Sequence, residues 1–182
     1  GKKYFYTMNV NELYTNIKNN MINEKDSHFY ESWTERTPLV FSLDIDAELP
    51  HENKNFEDII KSYILDIKKY SKKFYNYDYE IENIIILKTN KQPNKNSAHV
   101  IFRGLMFENH LVCKNFFDRI NKEKKLKYAD GSIYNLTCLR TCYSTKKGKN
   151  FPLKPISLEI NGLKTANVSD YSSELDFFSQ TL

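Results

Sequence analysis

The sequence predicts an α+β fold, a largely antiparallel or mixed sheet with helices set between its strands. Phe41-Ser-Leu-Asp-Ile-Asp46 alternates apolar and polar residues, the period of a half-buried strand. Phe56, Ile59, Ile60, Tyr63, Ile64 and Ile67 recur at helical spacing instead. Several strand-like runs are separated only by short turn-forming stretches, which favours hairpin-linked neighbours over parallel crossovers.

In chain order, Val10, Leu13, Tyr14, Ile17 and Met21 mark a first helix, with Asn9 as N-cap and Glu12 completing a capping box. His28 to Pro38 is polar and turn-like and holds the only tryptophan, Trp33. The strand at Phe41–Glu48 puts Phe41, Leu43 and Ile45 on one face, and Ser42, Asp44 and Asp46 on the other. Pro50 to Lys54 reads as a loop, followed by the helix from Phe56 to about Phe74, with Glu57 and Asp58 in its first turn. Ile84 to Leu87 is a short buried strand, Lys88 to Lys95 a basic loop broken by Pro93, and Ser97 to Phe102 a strand running back. A helix over roughly Asn109–Lys124 carries Val112, Phe116 and Ile120 on one stripe. Leu139–Tyr143 and Ile156–Ile160 read as further strands. Residues 169–182 are polar apart from Leu175, Phe177 and Phe178, and form either a terminal helix or a connecting stub.

At 182 residues the chain suffices for one domain with a sizeable interior. Its net charge of +4 is compatible with a polyanionic partner but too small to demand one. Cys113, Cys138 and Cys142 make an odd number without zinc-type pairing, so buried free thiols in a reducing compartment are expected. No apolar run reaches membrane-spanning length and no stretch reads as a signal peptide. Opening on Gly1 in place of Met, the chain reads as trimmed.

Three stretches carry chemistry. Asp44 and Asp46 share a strand face with Cα atoms roughly 6.5–7 Å apart, and could lean together on a hard cation such as Mg²⁺ or Mn²⁺. Taken alone, they also describe two solvated acids. In Lys95-x-Ser97-x-His99, a cation, a hydroxyl and an imidazole in a row suit a triphosphate; a polar strand edge is the plainer account. Asp130 is a third candidate acid, although Asp130-Gly131 is also a hairpin signal. Arg140 and Lys146 add cations, and Gly148 would let the basic loop holding Lys147 and Lys149 come close to a ligand. As a set, three acids can hold two ions about 3.5–4 Å apart while the basic groups grip the phosphates.

These motifs, in this order, resemble the archaeo-eukaryotic primase superfamily: Asp44-x-Asp46, then Ser97-x-His99, then a hydrophobic residue and Asp (Ala129, Asp130). Ala129 is smaller than the residue usual there. The tail of Ile133-Tyr134, Leu139-Arg140 and Ser144-x-Lys146-x-Gly148-Lys149 is similar to the primase-polymerase (PrimPol) branch, and most similar to the primase domains of poxvirus-type primase-helicases of large DNA viruses. The resemblance spans about residues 39–149. It implies a primase fold with an RRM-like catalytic core. It implies primer synthesis on single-stranded DNA from ribo- or deoxynucleoside triphosphates by two-metal nucleotidyl transfer, with Mg²⁺ or Mn²⁺ as cofactor. Asp44, Asp46 and Asp130 would be the metal ligands and catalytic acids, and Lys95, Ser97, His99, Arg140 and Lys146 the triphosphate contacts. One catalytic domain over 1–182 is expected: an N-terminal helix and loop (1–37), a core with all three motifs (38–160) and a C-terminal extension (161–182). Relatives imply a superfamily 3-type helicase domain as partner, no membrane, and work inside an infected cell, in the cytoplasm or nucleus.

Two other classes compete. A non-catalytic single-strand-binding module would use Lys-rich loops and exposed aromatics as stacking platforms. A metal-dependent nuclease or rolling-circle initiator would want a histidine two residues from His99, and none is there.

Overall fold

The computed structural model describes residues 7–48, 55–89, 95–135, 138–146 and 151–182. The loops expected at 50–54 and through most of 88–95, and the Lys147-Gly148-Lys149 tail, lie outside the described residues.

The elements run α1 (Val10–Ile22), β1 (Tyr30–Ser32), β2 (Leu39–Ala47), α2 (Phe56–Tyr75), β3 (Ile84–Thr89), β4 (Asn96–Phe107), α3 (His110–Lys124), β5 (Cys138–Arg140), β6 (Leu153–Ile156), β7 (Glu159–Ile160), β8 (Leu163–Lys164) and α4 (Glu174–Ser179). The main sheet has the order β2-β4-β3-β6, every pairing antiparallel. Two small ribbons, β1-β5 and β7-β8, stand apart from it.

The path β2-α2-β3-β4-α3 with spatial order β2-β4-β3 is the β-α-β-β-α course of an RRM-like core. On the free edge of β2, where a further strand would lie, Ala129 makes a single antiparallel bridge to Ile45.

The alternation of β2 decides how the layers stack. Phe41, Leu43 and Ile45 join Ile84, Ile86, Val100 and Phe102 in one core beneath α2 and α3. On the opposite face Ile85, Leu87 and Ile101 pack with Ile17 of α1 and with Phe177 and Phe178 of α4. Covering both faces explains why Ile84–Leu87 is buried without a break.

α1 begins as expected: Asn9 Oδ1 accepts from the Glu12 N–H at 2.9 Å, and Glu12 Oε2 accepts from the Asn9 N–H at 3.3 Å. Elsewhere the structure corrects the expectations. Within the turn-like 28–38 stretch, Tyr30–Ser32 forms a strand by pairing with Cys138–Arg140. The strand expected over Leu139–Tyr143 stops at Arg140, where the chain turns and Tyr143 takes a left-handed φ of 61°. Ile156–Ile160 is two strands rather than one, because Thr165 captures the Ser157 hydroxyl and the Leu158 N–H at the break. On α3, Val112 is exposed and Cys113 takes the buried position. Residues 174–179 are a docked helix, not a stub. All three cysteines are free.

Candidate active site

The register of β2 on β4 assembles the first two motifs. Asp44 lies opposite His99 and Asp46 opposite Ser97, on the same sheet face. Alternation places each pair of side chains together, and the pairing sets the two rows against each other. His99 Nε2 stands 3.5 Å from Asp44 Oδ1, and Lys95 Nζ bonds Asp46 Oδ2 at 2.6 Å.

The third acid arrives by main-chain bonding. Asp130 N–H donates to the Asp44 carbonyl at 2.8 Å, and Asp46 N–H to the Tyr128 carbonyl at 2.8 Å. The Tyr134 hydroxyl donates to the Ser42 carbonyl and ties down the far end of the segment. Asp130-Gly131 therefore opens a short 3₁₀ turn, Gly131–Tyr134, instead of a hairpin. Gly131 is required by packing, since a Cβ there would meet Phe117 Cε1 at 2.5 Å. The Asp130 carboxylate is exposed and accepts from the Ser132 N–H at 2.8 Å and the Ser132 hydroxyl at 2.9 Å. Among the described residues no three acidic, histidine or cysteine side chains already stand as a set able to hold a metal ion. Asp130 is thus beside the other two in backbone but turned onto Ser132 in side chain.

Arg140 comes from the β1-β5 ribbon, opposite Tyr30, and is buried, with Nη1 donating to the Phe151 carbonyl at 3.4 Å. The turn after it is held by Thr141 and the fully buried Ser144, whose hydroxyls meet at 2.8 Å. Ser144 is accordingly a fastening of the turn, and Lys146 projects beyond it, exposed.

Charge is distributed unevenly over this group. Burial, aided by the neighbouring Asp46, pushes the Asp44 carboxyl up to about 6, against the pull of Lys146 and Arg140. Burial acts on Asp46 too, but the Lys95 ammonium bonded to it outweighs that and holds it below the usual carboxylate range. Burial, with the charge of Arg140, lowers the His99 imidazole to about 3, so the ring is neutral at physiological pH.

Seven buried side-chain polar atoms among the described residues have no hydrogen-bond partner, and five belong here: Asp44 Oδ1, Asp46 Oδ1, Ser97 Oγ, His99 Nδ1 and Arg140 Nε. Buried polar groups are normally paired, and leaving one unpaired costs about 1–3 kcal/mol. A cluster of carboxylate oxygens, a hydroxyl, an imidazole and a guanidinium left unsatisfied together suits a ligand that is both cationic and anionic, such as a metal-bound phosphate. Sequence reasoning missed Ser132 as the partner of Asp130, and Glu31, which the β1-β5 ribbon pairs with Leu139, next to the Tyr30–Arg140 pair.

No curated protein matches the chain. The family model for the C962R protein N-terminal AEP domain matches residues 1–151, a span that takes in every residue of this site. On that match the chain belongs to the C962R N-terminal AEP domain family, within the archaeo-eukaryotic primase superfamily.

Proposed function

We propose that this domain is a DNA-dependent primase of the PrimPol branch. It would make primers on single-stranded DNA from nucleoside triphosphates, for replication of a viral genome and alongside a helicase domain. The unsatisfied buried cluster around Asp44 and His99 is the observation that carries the reading. Asp44 and Asp46 would hold Mg²⁺ or Mn²⁺, with Asp130 joining once its carboxylate leaves Ser132. Bound there, the cations would activate the attacking hydroxyl and offset charge on the α-phosphate and the departing pyrophosphate.

The remaining residues position the phosphates. Neutral His99 and Ser97 offer hydrogen bonds without adding charge, and Arg140 supplies a fixed fork of donors. Lys95, now on Asp46, would move to phosphate when the cation replaces it. A single-strand-binding module without catalysis is less well supported. In the main sheet the aromatics Phe41 and Phe102 are fully buried beneath helices, and of the strand aromatics Tyr30 on the β1-β5 ribbon is the exposed one. The test is primer synthesis on single-stranded template with labelled nucleotides and Mn²⁺, comparing wild type with Asp44→Asn and Asp46→Asn. Equal yields would refute the assignment.

A further inference from the structure

Beside the acids, on the same face of the sheet, lies a cleft of about 240 Å³ whose walls include Glu31, Trp33, Val40, Ser42, Ile101 and Leu139. Ser42 and Ile101 are register partners, the next pair on this face after Asp44 and His99. The cleft therefore opens roughly 7 Å from the acid pair, on the side away from Asp46, Ser97 and Lys95. In the β1-β5 ribbon Glu31 pairs with Leu139, one step from the Tyr30–Arg140 pair, so these two residues face the other way from Arg140 and line the cleft. The main sheet and the β1-β5 ribbon thus both contribute walls to the cleft.

Two of its polar groups, the Glu31 carboxyl and the Trp33 indole N–H, are without a partner among the described residues. Glu31 is the least exposed residue of β1, and among the described residues its side chain has no hydrogen bond or ion pair. Burial pushes its carboxyl up to about 7. The Trp33 indole N–H is buried without an acceptor. The other walls are mostly apolar, as in sites that hold flat ligands.

We propose that this cleft binds the nucleoside half of the triphosphate held at Asp44 and Asp46, with sugar and base along Val40, Ile101 and Leu139, and Glu31 and Trp33 meeting their polar edges. The inference rests on the primase reading and adds to it. Basic groups draw the phosphates toward Lys95 and Ser97, so the nucleoside must leave on the opposite side, where the cleft is. Burial raises the Glu31 carboxyl toward neutrality, so it repels nearby phosphates less than an ordinary glutamate would, and its protonated form can both donate and accept.

Trp33 is the only tryptophan, so its emission reports on the cleft in the unmodified protein. With Mg²⁺ present, a nucleoside triphosphate should quench or shift that emission. Inorganic tripolyphosphate should compete for the site without doing so. Glu31→Ala should weaken nucleotide binding by roughly tenfold with tripolyphosphate affinity unchanged, and Glu31→Gln should restore most of the loss. Nucleotide binding that leaves Trp33 emission and Glu31→Ala affinity unaltered would overturn the proposal while sparing the primase reading. Emission that responds to a single-stranded oligonucleotide but not to nucleotide would overturn it too, giving the cleft to the template. Failure of both nucleotide and tripolyphosphate to bind would overturn both readings.

Discussion

Asp44 and His99 face each other across β2 and β4 at 3.5 Å, yet they are not an ion pair, because burial keeps the imidazole neutral. Among the described residues Asp44 therefore draws compensation from Lys146 and Arg140, and shares its surroundings with Asp46 and Asp130. The arrangement is poor for stability and good for receiving a cation, the trade expected where a site serves chemistry.

Replacing Asp44 by Asn should abolish primer synthesis and stabilise the metal-free protein. The folded carboxyl takes its proton near pH 6, above its ordinary value of 3.8. Stability from this group is complete below about pH 4 and is lost as pH rises through 6. Asp44→Asn should thus exceed wild type by on the order of 2–3 kcal/mol at pH 8, with the gain vanishing near pH 4. Urea unfolding at both pH values, with chelator present, measures it. A variant less stable than wild type at pH 8 would contradict the account of Asp44.

Arg140 is buried and fixed by a strand pairing, so its guanidinium cannot be replaced by a longer-reaching neighbour. Arg140→Ala should lower nucleotide affinity by roughly ten- to a hundredfold and change template affinity much less. Arg140→Lys should recover only part of the loss, because an ammonium lacks the fork. Titration calorimetry with nucleotide and with oligonucleotide separates the two effects.

Much of this was readable in the chain, for physical reasons. Strand alternation alone puts Asp44 with Asp46 and Ser97 with His99, and the capping box at Asn9 is a local device. What escaped depends on distant partners. Tyr30–Ser32 is a strand only because Cys138–Arg140 lies beside it. Asp130-Gly131 looked like a hairpin turn, and nothing nearby in sequence announces that Phe117 presses on Gly131 or that Ser132 holds the carboxylate.

Gly131→Ala should disturb the third acid without touching a polar group. The added methyl meets the Phe117 ring, and overpacking of this kind costs about 1–3 kcal/mol. Primer synthesis should fall more than nucleotide binding does, since Asp130 is displaced while the phosphate partners stay. Single-turnover rates beside binding isotherms would show the split.

Glu174 gathers three elements. It accepts from the Tyr14 hydroxyl at 2.9 Å and from Lys18 at 3.0 and 3.1 Å, and Tyr143 hydrogen-bonds to it as well. Glu174→Gln should cost about 1–2 kcal/mol and loosen the turn that ends in Lys146. Thermal unfolding gives the first effect, and a raised KM for nucleotide with little change in kcat gives the second.

β6 and α4 lie past residue 151, where the family match stops. A version cut at that border would strip Leu153, Phe177 and Phe178 from the second core and leave β3 with a bare outer edge from Ile86 to Thr89. Unpaired apolar edges recruit other chains, so such a version would gather into aggregates. A boundary drawn from the family match alone would discard the stretch that pairs the outer edge of β3 and fills the second core.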